Sequence, residues 1–229
     1  MNEIAENWLA LRARITRAEQ AADRAPGSVR LLAVSKTKPA AAVRAAHAAG
    51  QTAFGENYVQ EGVAKIVELA DLPLEWHFIG PLQSNKTREV ATHFHWVHSV
   101  ERDKIARRLA EQRPAGLPPL QVCLQVNIDD EASKSGCAPA DLPALVRVVL
   151  ALPALELRGL MCIPRPGNHA AFAALAKTRQ DLLASIPGLS PERFDTLSMG
   201  MSDDLEAAVA AGSTLLRIGT ALFGARPPA

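Results

Sequence analysis

The sequence has few cysteines, few aromatic residues and no long apolar run. Three of its 229 residues are cysteine and 4% are aromatic, with one tyrosine. Because Cys123, Cys137 and Cys162 show no C-x-x-C spacing, neither a disulfide framework nor a zinc ribbon is indicated. No stretch reaches the ~18 consecutive apolar residues of a membrane span, and charges interrupt the first 20 residues, unlike a signal peptide. We therefore expect a cytoplasmic protein.

Charge of one sign is also lacking. Lys plus Arg total 25 against 24 Asp plus Glu, which gives a net charge of +1. Nucleic acids and anionic membranes are bound through clustered cations, so we expect neither as a partner. With 48% hydrophobic and 21% charged residues the composition is globular. The length suits one α/β barrel, and we predict a single domain over residues 1–229.

Helical and strand patterns alternate along the chain. Ile4, Trp8, Leu11 and Ile15 recur at steps of three and four, which predicts an amphipathic N-terminal helix. Eight short β-forming runs follow, at residues 31–36, 52–57, 75–80, 96–100, 120–128, 155–163, 196–200 and 215–224. Helical patterns separate them, at residues 39–49, 56–70, 84–92, 101–113, 138–151, 169–185 and 202–211.

Helices of this length between strands indicate crossover connections and hence a parallel sheet. Runs such as residues 31–34 are continuously apolar, as burial on both faces requires. Eight β/α units with one helix in front predict a closed (β/α)8 TIM barrel of the α/β class. An open doubly wound sheet is the alternative that periodicity leaves open.

Lys36 is the first candidate for chemistry, because active sites of such barrels lie at the C-terminal ends of the strands. It shares the alternation phase of Leu32 and Val34, which directs its side chain toward the barrel interior. Partial burial lowers the pKa of an amine, as a Schiff-base lysine needs. The alternative is a solvated or ion-paired charge at the mouth. Lys38, followed by Pro39, is expected at the rim.

The loops after strands 7 and 8 predict a phosphate site. Residues 198–204 read as a strand end, a glycine turn and a helix start capped by Ser202, and residues 217–220 end the last strand with glycine and threonine. Free N–H groups and hydroxyls in these two loops commonly bind phosphate. Two ordinary glycine turns are the alternative. Combined with a buried lysine, the pattern favours a phosphorylated aldehyde held as an imine.

Other candidates are weaker. His93, His95 and His98 could share a face as metal ligands, but no convergent cysteine or carboxylate accompanies them, and we predict no metal. Tyr58 could be a catalytic acid or a rim residue. Cys162 could be a nucleophile, although a cysteine in an apolar strand is usually a small hydrophobe.

Motifs along nearly the whole chain then identify a family. They are LLAVSKTKP, FGENYVQE, WHFIGPLQSNK, HSVER, LQVN, RGLMCIP and LSMGMSDDLEAAVAAGSTLLRIGTALFGAR. Together they resemble the YggS/PROSC-type pyridoxal phosphate homeostasis proteins. The resemblance implies a barrel of the alanine racemase N-terminal type with pyridoxal 5'-phosphate (PLP) bound as an internal aldimine on Lys36. It implies phosphate contacts from Ser198, Gly219 and Thr220, with Arg217 near the pyridine nitrogen and Asn57 and Met161 close to the cofactor.

The resemblance and the residues together favour a cofactor-handling protein over a fast enzyme. An arginine at the pyridine nitrogen disfavours its protonation and weakens the ring as an electron sink. Racemisation needs acid/base groups on both faces of the imine that the cofactor forms with its substrate. Tyr58 is the only tyrosine of the 229 residues. In alanine racemase a C-terminal β domain of the partner subunit supplies a tyrosine as the second group, and we expect no such domain here.

We therefore expect a monomer that takes part in vitamin B6 homeostasis without robust turnover of its own, and that buffers PLP or delivers it to apo PLP-dependent enzymes. One alternative is a PLP-dependent amino-acid racemase or lyase using Lys36 and Tyr58. Another is a sugar-phosphate barrel enzyme that uses Lys36 without a cofactor.

Overall fold

The computed structural model describes residues 3–129 and 135–224. Within them the eight strands are β1 (Arg30–Val34), β2 (Ala53–Glu56), β3 (Glu75–Phe78), β4 (Trp96–Val100), β5 (Leu120–Gln125), β6 (Leu155–Met161), β7 (Thr196–Ser198) and β8 (Leu215–Ile218). The α-helices are α1 (Glu3–Ala21), α2 (Ala40–Ala48), α3 (Val59–Glu68), α4 (Thr87–His93), α5 (Asp103–Gln112), α6 (Leu142–Leu150), α7 (Ala170–Ser185), α8 (Leu205–Ala210) and α9 (Thr220–Phe223).

The strands form a closed parallel barrel in chain order. Each strand pairs with the next, and the barrel closes where β1 pairs with β8, with Ala33 opposite Ile218. On its other side Ala33 pairs with Phe54 of β2. Closure confirms the predicted (β/α)8 barrel and excludes the open doubly wound sheet.

The two faces of β1 show how strand alternation builds the barrel. Leu31 and Ala33 belong to the large apolar cluster between the strands and the surrounding helices. Leu32 and Val34 belong to a second, smaller cluster that also contains Ile79. Val34 and Ile79 of this second cluster line the cavity at the barrel mouth. The predicted phase of the first strand is therefore confirmed, and Lys36, in the turn after it, lines the same cavity.

Helix α1 confirms the expected N-terminal element. Its residues Leu11 and Ile15 are buried, while Ile4 and Trp8 pack against the core from partly exposed positions. The helix packs on α2, α8 and α9. It therefore covers the elements that flank the first and last strands, close to the predicted site.

Several strands end earlier than predicted, among them β1 at Val34, β5 at Gln125 and β6 at Met161. Two further differences bear on the site. Strand β8 ends at Ile218 instead of continuing to residue 224, because the N–H groups of Leu222 and Phe223 bond to the Gly219 carbonyl and begin helix α9. Helix α8 begins at Leu205 with Asp204 in the N-cap position, so Ser202 is not its cap.

In the described part of the chain, no helix combines the length and the apolar character that crossing a membrane requires.

Candidate functional site

A cavity of about 490 Å³ lies at the C-terminal ends of the strands. That volume is within the usual range of small-molecule sites. Its walls come from β1, β8, the segments that follow β1, β2, β3, β6, β7 and β8, and helices α1 and α9. The lining residues are Arg14, Val34, Lys36, Lys38, Asn57, Ile79, Ile163, Met201, Ser202, Asp203, Arg217, Gly219, Thr220, Ala221 and Gly224. The structure thus brings together five of the seven predicted cofactor residues.

Positive charge predominates around this cavity. Four of the described lining residues are cationic and a single one, Asp203, is acidic. Such an excess attracts anions into a recess where the walls are partly apolar. The cavity is therefore suited to a small ligand that carries negative charge.

Arg14 is a lining residue that sequence reasoning missed. It reaches the cavity from α1 and donates from Nη1 to the Ser202 carbonyl at 2.9 Å. Its Nε and Nη2 pair with the Glu206 carboxylate at 2.6 and 2.7 Å. Nothing in the amphipathic pattern of α1 indicates this role, because it depends on α1 packing against α8.

The loop that carries Lys36 is held in an unusual conformation. Thr37 has φ of +63°, a region that β-branched residues rarely adopt. Its N–H group donates to Glu61 Oε1 at 2.5 Å. Such conformations persist only where surrounding contacts enforce them, and they concentrate at functional sites. The turn places Lys36, which is half-buried, on the cavity wall.

A buried lysine supports the same loop from below. Lys65 Nζ donates to the Ser35 carbonyl at 2.6 Å, to Glu56 Oε1 at 2.8 Å and to Glu61 Oε1 at 2.7 Å. Burial raises the pKa of Glu56, and the contact with Lys65 opposes that rise. Lys65 therefore links α3 to the residue before Lys36. Its partner Glu61 accepts from the N–H group of Thr37, the residue after Lys36.

Lys38 lies at the rim of the cavity, as expected. Its Nζ donates to the carbonyls of Phe223 at 3.0 Å and Gly224 at 3.2 Å. These carbonyls end α9, so Lys38 anchors the segment after β8 to the loop after β1.

Arg217 is a buried cation on the cavity wall. Its Nη1 donates to Ser198 O at 2.5 Å and Ser198 Oγ at 2.8 Å, and its Nη2 donates to Cys162 O at 2.8 Å. None of the ion pairs formed by the described residues includes Arg217. Burial lowers the pKa of its guanidinium. A fixed positive charge is thus exposed to whatever occupies the cavity.

Two of the predicted cofactor residues lie outside the cavity walls. The Ser198 side chain is buried, and its Oγ contacts Arg217 and His98. Met161 packs inside the barrel against Trp96 and Cys123. Their contacts with a cofactor stay predictions, whereas Ser202, two residues past the glycine turn, lines the cavity.

Asn57 supplies an unsatisfied polar atom at this site. Its Oδ1 is buried without a hydrogen-bond partner. Buried polar atoms are nearly always bonded, and one left over at a cavity points to a missing ligand. The Asn57 oxygen fits a hydrogen-bond donor, and Arg217, which has no carboxylate partner among the described residues, fits an acceptor or an anion. The residues present therefore fit a polar ligand such as PLP.

The remaining candidates have other positions. The Tyr58 side chain is 58% exposed, and Tyr58 is not among the cavity-lining residues. His93 bonds to the Glu89 carbonyl, and His95 accepts from the Trp76 N–H group. Within residues 3–129 and 135–224, no group of three or more His, Cys, Asp or Glu side chains could hold a metal ion.

Cys162 is buried and lacks the properties of a nucleophile. Burial raises the pKa of its thiol to about 12. Because the thiolate is the reactive form, this cysteine packs as a small apolar residue.

Comparison with known proteins places this chain in a family. The family model described as alanine racemase, N-terminal domain, matches residues 7–227. The chain therefore belongs to the alanine racemase N-terminal domain family.

Within that family, its relatives are more specific. The chain is 65% identical over 231 residues to the pyridoxal phosphate homeostasis protein of Pseudomonas aeruginosa, covering 99% of this chain and 97% of the relative. It is 54% identical over 231 residues to the protein of that name from Escherichia coli K12, covering 99% and 98%. These matches confirm the resemblance drawn from the motifs.

A solved structure carries the cofactor. PipY of Synechococcus elongatus PCC7942, solved with PLP bound, superposes with a TM-score of 0.83 at 42% identity, covering 96% of this chain and 100% of PipY.

Proposed function

We propose that this chain binds PLP in the cavity at the barrel mouth, attached through the Lys36 amine, and acts in intracellular vitamin B6 homeostasis. One observation carries the proposal: Lys36, just after β1, and the buried Arg217 guanidinium of the adjacent strand β8 line the same cavity. The names of the homeostasis proteins and the PLP-bound PipY structure support it.

The attachment point is the Lys36 side chain. PLP supplies an aldehyde that condenses with a primary amine with loss of water. The Thr37 turn and the Lys65 cluster hold the backbone from which this side chain projects into the cavity wall. Val34 and Ile79 beside it provide an apolar wall that limits access of water.

The phosphate end of the cavity is formed by the loops after β7 and β8. Gly219, Thr220 and Ser202 bring N–H groups and hydroxyls to this wall, and Arg14, paired with Glu206, lies on it as well. The Ser198 hydroxyl is engaged by Arg217 and His98. We therefore assign the hydroxyl contact after β7 to Ser202, with Ser198 acting through the guanidinium it orients.

The buried Arg217 guanidinium lines the same cavity. A guanidinium beside the pyridine nitrogen of PLP disfavours protonation of that nitrogen, which weakens the ring as an electron sink. Asn57 Oδ1, which lacks a partner, is available to a polar donor on the ligand or on a bound water. This arrangement favours holding the cofactor over activating a substrate carbon.

Sustained turnover also needs a second acid/base group. Lys36 could act as the acid/base group on one face of a bound substrate. Tyr58 is exposed and does not line the cavity. We propose that the protein has no robust catalysis of its own. Solvent-deuterium exchange into a panel of amino acids tests this, and sustained exchange that Tyr58→Phe abolishes would instead establish a racemase or lyase.

The cofactor test uses the visible absorption spectrum of the purified protein with added PLP, before and after borohydride reduction. We expect an absorbance band that reduction removes and a mass tag that peptide mapping locates on Lys36. Lys36→Ala should lose the tag and keep weaker binding, because the phosphate contacts do not depend on the amine.

Lys38→Ala is the matched control and should keep the tag on Lys36. A protein that stays colourless with PLP would overturn the proposal and favour a sugar-phosphate enzyme. A tag on Lys38 would reassign the attachment point.

Delivery of PLP to apo PLP-dependent enzymes, by a monomer, is the final part of the proposal. The cavity opens to solvent at the barrel mouth, so other amines could reach a ligand bound there. Loaded protein should reactivate an apo acceptor enzyme faster than an equal amount of free PLP does. Equal rates would refute delivery, and sedimentation of the loaded protein checks the monomeric state.

A further inference from the structure

A continuous series of hydrogen bonds crosses the barrel interior behind Arg217. Beyond the Arg217–Ser198 contact, Ser198 Oγ lies 2.8 Å from His98 Nδ1, and His98 Nε2 lies 2.8 Å from His77 Nδ1. His77 Nε2 lies 2.7 Å from Glu75 Oε1, and Arg30 Nη2 lies 2.5 Å from the same oxygen. The series joins β8, β7, β4, β3 and β1.

The two ends of this series lie at opposite ends of the barrel. Arg217 lines the cavity at the mouth, while Glu75 and Arg30 are the first residues of β3 and β1. His77 and His98 between them are fully buried. The polar residues therefore span the core from the site to the far rim.

The chemistry of the end groups determines the direction of every proton. A guanidinium can only donate, so the Ser198 oxygen accepts from Arg217 and keeps its own proton available for His98 Nδ1. An ionised carboxylate can only accept, so His77 carries its proton on Nε2 toward Glu75.

The contact between the two histidines completes the pattern. A neutral His77 protonated on Nε2 has an acceptor at Nδ1, so His98 Nε2 is the donor between the rings. The reverse direction would place an unprotonated His77 nitrogen against a carboxylate. Burial opposes the ionisation of Glu75, but the contact with His77 and the charge of Arg30 lower its pKa to about 2, which keeps it an acceptor.

Trp96 holds the middle of the series in place. The His77 ring stacks on Trp96 with centroids 5.1 Å apart and planes within 10°. Because both rings are packed in the barrel core, the imidazole has little freedom to turn away from its partners.

We infer that Glu75, His77 and His98 are positioning residues that act through Ser198 to orient the Arg217 guanidinium toward the cavity. This inference rests on the proposed function, in which Arg217 faces the ring nitrogen of PLP. A buried cation without an ion-pair partner is costly. All hydrogen bonds of the series donate toward Glu75, so the negative ends of their dipoles point toward Arg217. These aligned dipoles partly compensate the cost of the buried cation.

The series is an orienting device and not a path for protons. It ends on a guanidinium, which does not release its proton near neutral pH. The series fixes the orientation of its side chains and the direction of its hydrogen bonds. Without the charge of Glu75, the hydrogen bonds of the two histidines no longer have one preferred direction.

The test is the side-chain ¹⁵N spectrum of histidines in the full-length labelled protein at pH 7, with and without PLP. We expect His77 and His98 to be neutral and protonated on Nε2. Glu75→Gln should change both signals and shift the visible band of the PLP-loaded protein. Glu75 is partly exposed, with 33% of its side chain accessible, so the variant should fold.

Glu156→Gln is the matched control. Glu156 lies near the start of β6, is 27% accessible and pairs with Arg193, but it contacts no histidine. This variant should leave the histidine signals and the PLP band unchanged.

Protonation on Nδ1 of either histidine would overturn the inference. So would an unchanged PLP band in Glu75→Gln, because the series would then not reach Arg217. If the histidines show the expected protonation and the wild-type protein does not bind PLP, the proposed function fails while the direction of the series stands.

Discussion

Lys65 Nζ lies 2.6 Å from the carbonyl oxygen of Ser35, the residue that precedes Lys36. The same ammonium pairs with Glu56, which is buried, and with Glu61. Lys65 of α3 thus holds the backbone from which Lys36, the candidate cofactor lysine, projects.

Replacing this lysine should be strongly destabilising. Lys65→Met leaves the buried Glu56 carboxylate without its cationic partner, and breaking a buried pair in this way costs about 3–5 kcal/mol. Urea unfolding at pH 7 measures the loss.

Lys177→Met is the control, because its pair with Asp181 is exposed on the surface of α7. It should cost at most about 0.5 kcal/mol. Similar losses for the two variants would contradict the role of Lys65.

The buried histidines predict a loss of stability in mild acid. Burial lowers the pKa of His77 to about 4 and holds that of His98 well below its usual value. In the unfolded chain both titrate near 6.5, so between about pH 6.5 and 4 the unfolded state binds protons that the folded state does not. Stability should therefore fall as pH falls, by up to about 1.4 kcal/mol per pH unit for each histidine.

Urea unfolding from pH 7 to pH 5 measures this slope. His77→Gln should reduce it by one proton's contribution, while His169→Gln, at an exposed residue, should leave it unchanged. A wild-type stability that does not vary over this range would contradict the prediction.

Gly80 keeps space for the backbone of Asn57. A Cβ at residue 80 would lie 2.1 Å from the Asn57 carbonyl oxygen. Gly80→Ala should therefore displace Asn57, cost about 1–3 kcal/mol and weaken PLP binding.

Thermal unfolding and a PLP titration check the two effects of Gly80→Ala. Gly116→Ala is the control, since a Cβ there meets nothing within 4 Å. If Gly80→Ala binds PLP as tightly as the control does, Asn57 has no part in the site.

The cysteines should be unreactive in the folded protein. All three are free and buried, and burial raises the thiol pKa of Cys137 to about 11 and that of Cys162 to about 12. Iodoacetamide at pH 8 should modify none of them without denaturant and all three in urea, as intact-mass measurement would show. Modification of Cys162 in the native protein would restore it as a candidate nucleophile.

Much of the fold and part of the site could be predicted because they depend on local patterns. Strand alternation directed Lys36 inward, and helical crossovers implied parallel strands whose C-terminal ends carry the site. The same reasoning located Arg217 and Gly219 at the end of the last strand. Each of these inferences needs only the spacing of residues that are near one another in the chain.

Only the tertiary structure decided which distant side chains meet. Arg14 reaches the cavity because α1 packs on α8, and Ser198 contacts His98, a hundred residues away, instead of lining the cavity. The partners of His98 and His77 could not be predicted from the sequence. They meet because the closed barrel brings β3, β4, β7 and β8 around one core. Sequence spacing determined which face of its own strand each side chain occupies. Barrel closure determined which side chain of another strand it contacts, because hydrogen bonds across the core join residues with no regular separation along the chain.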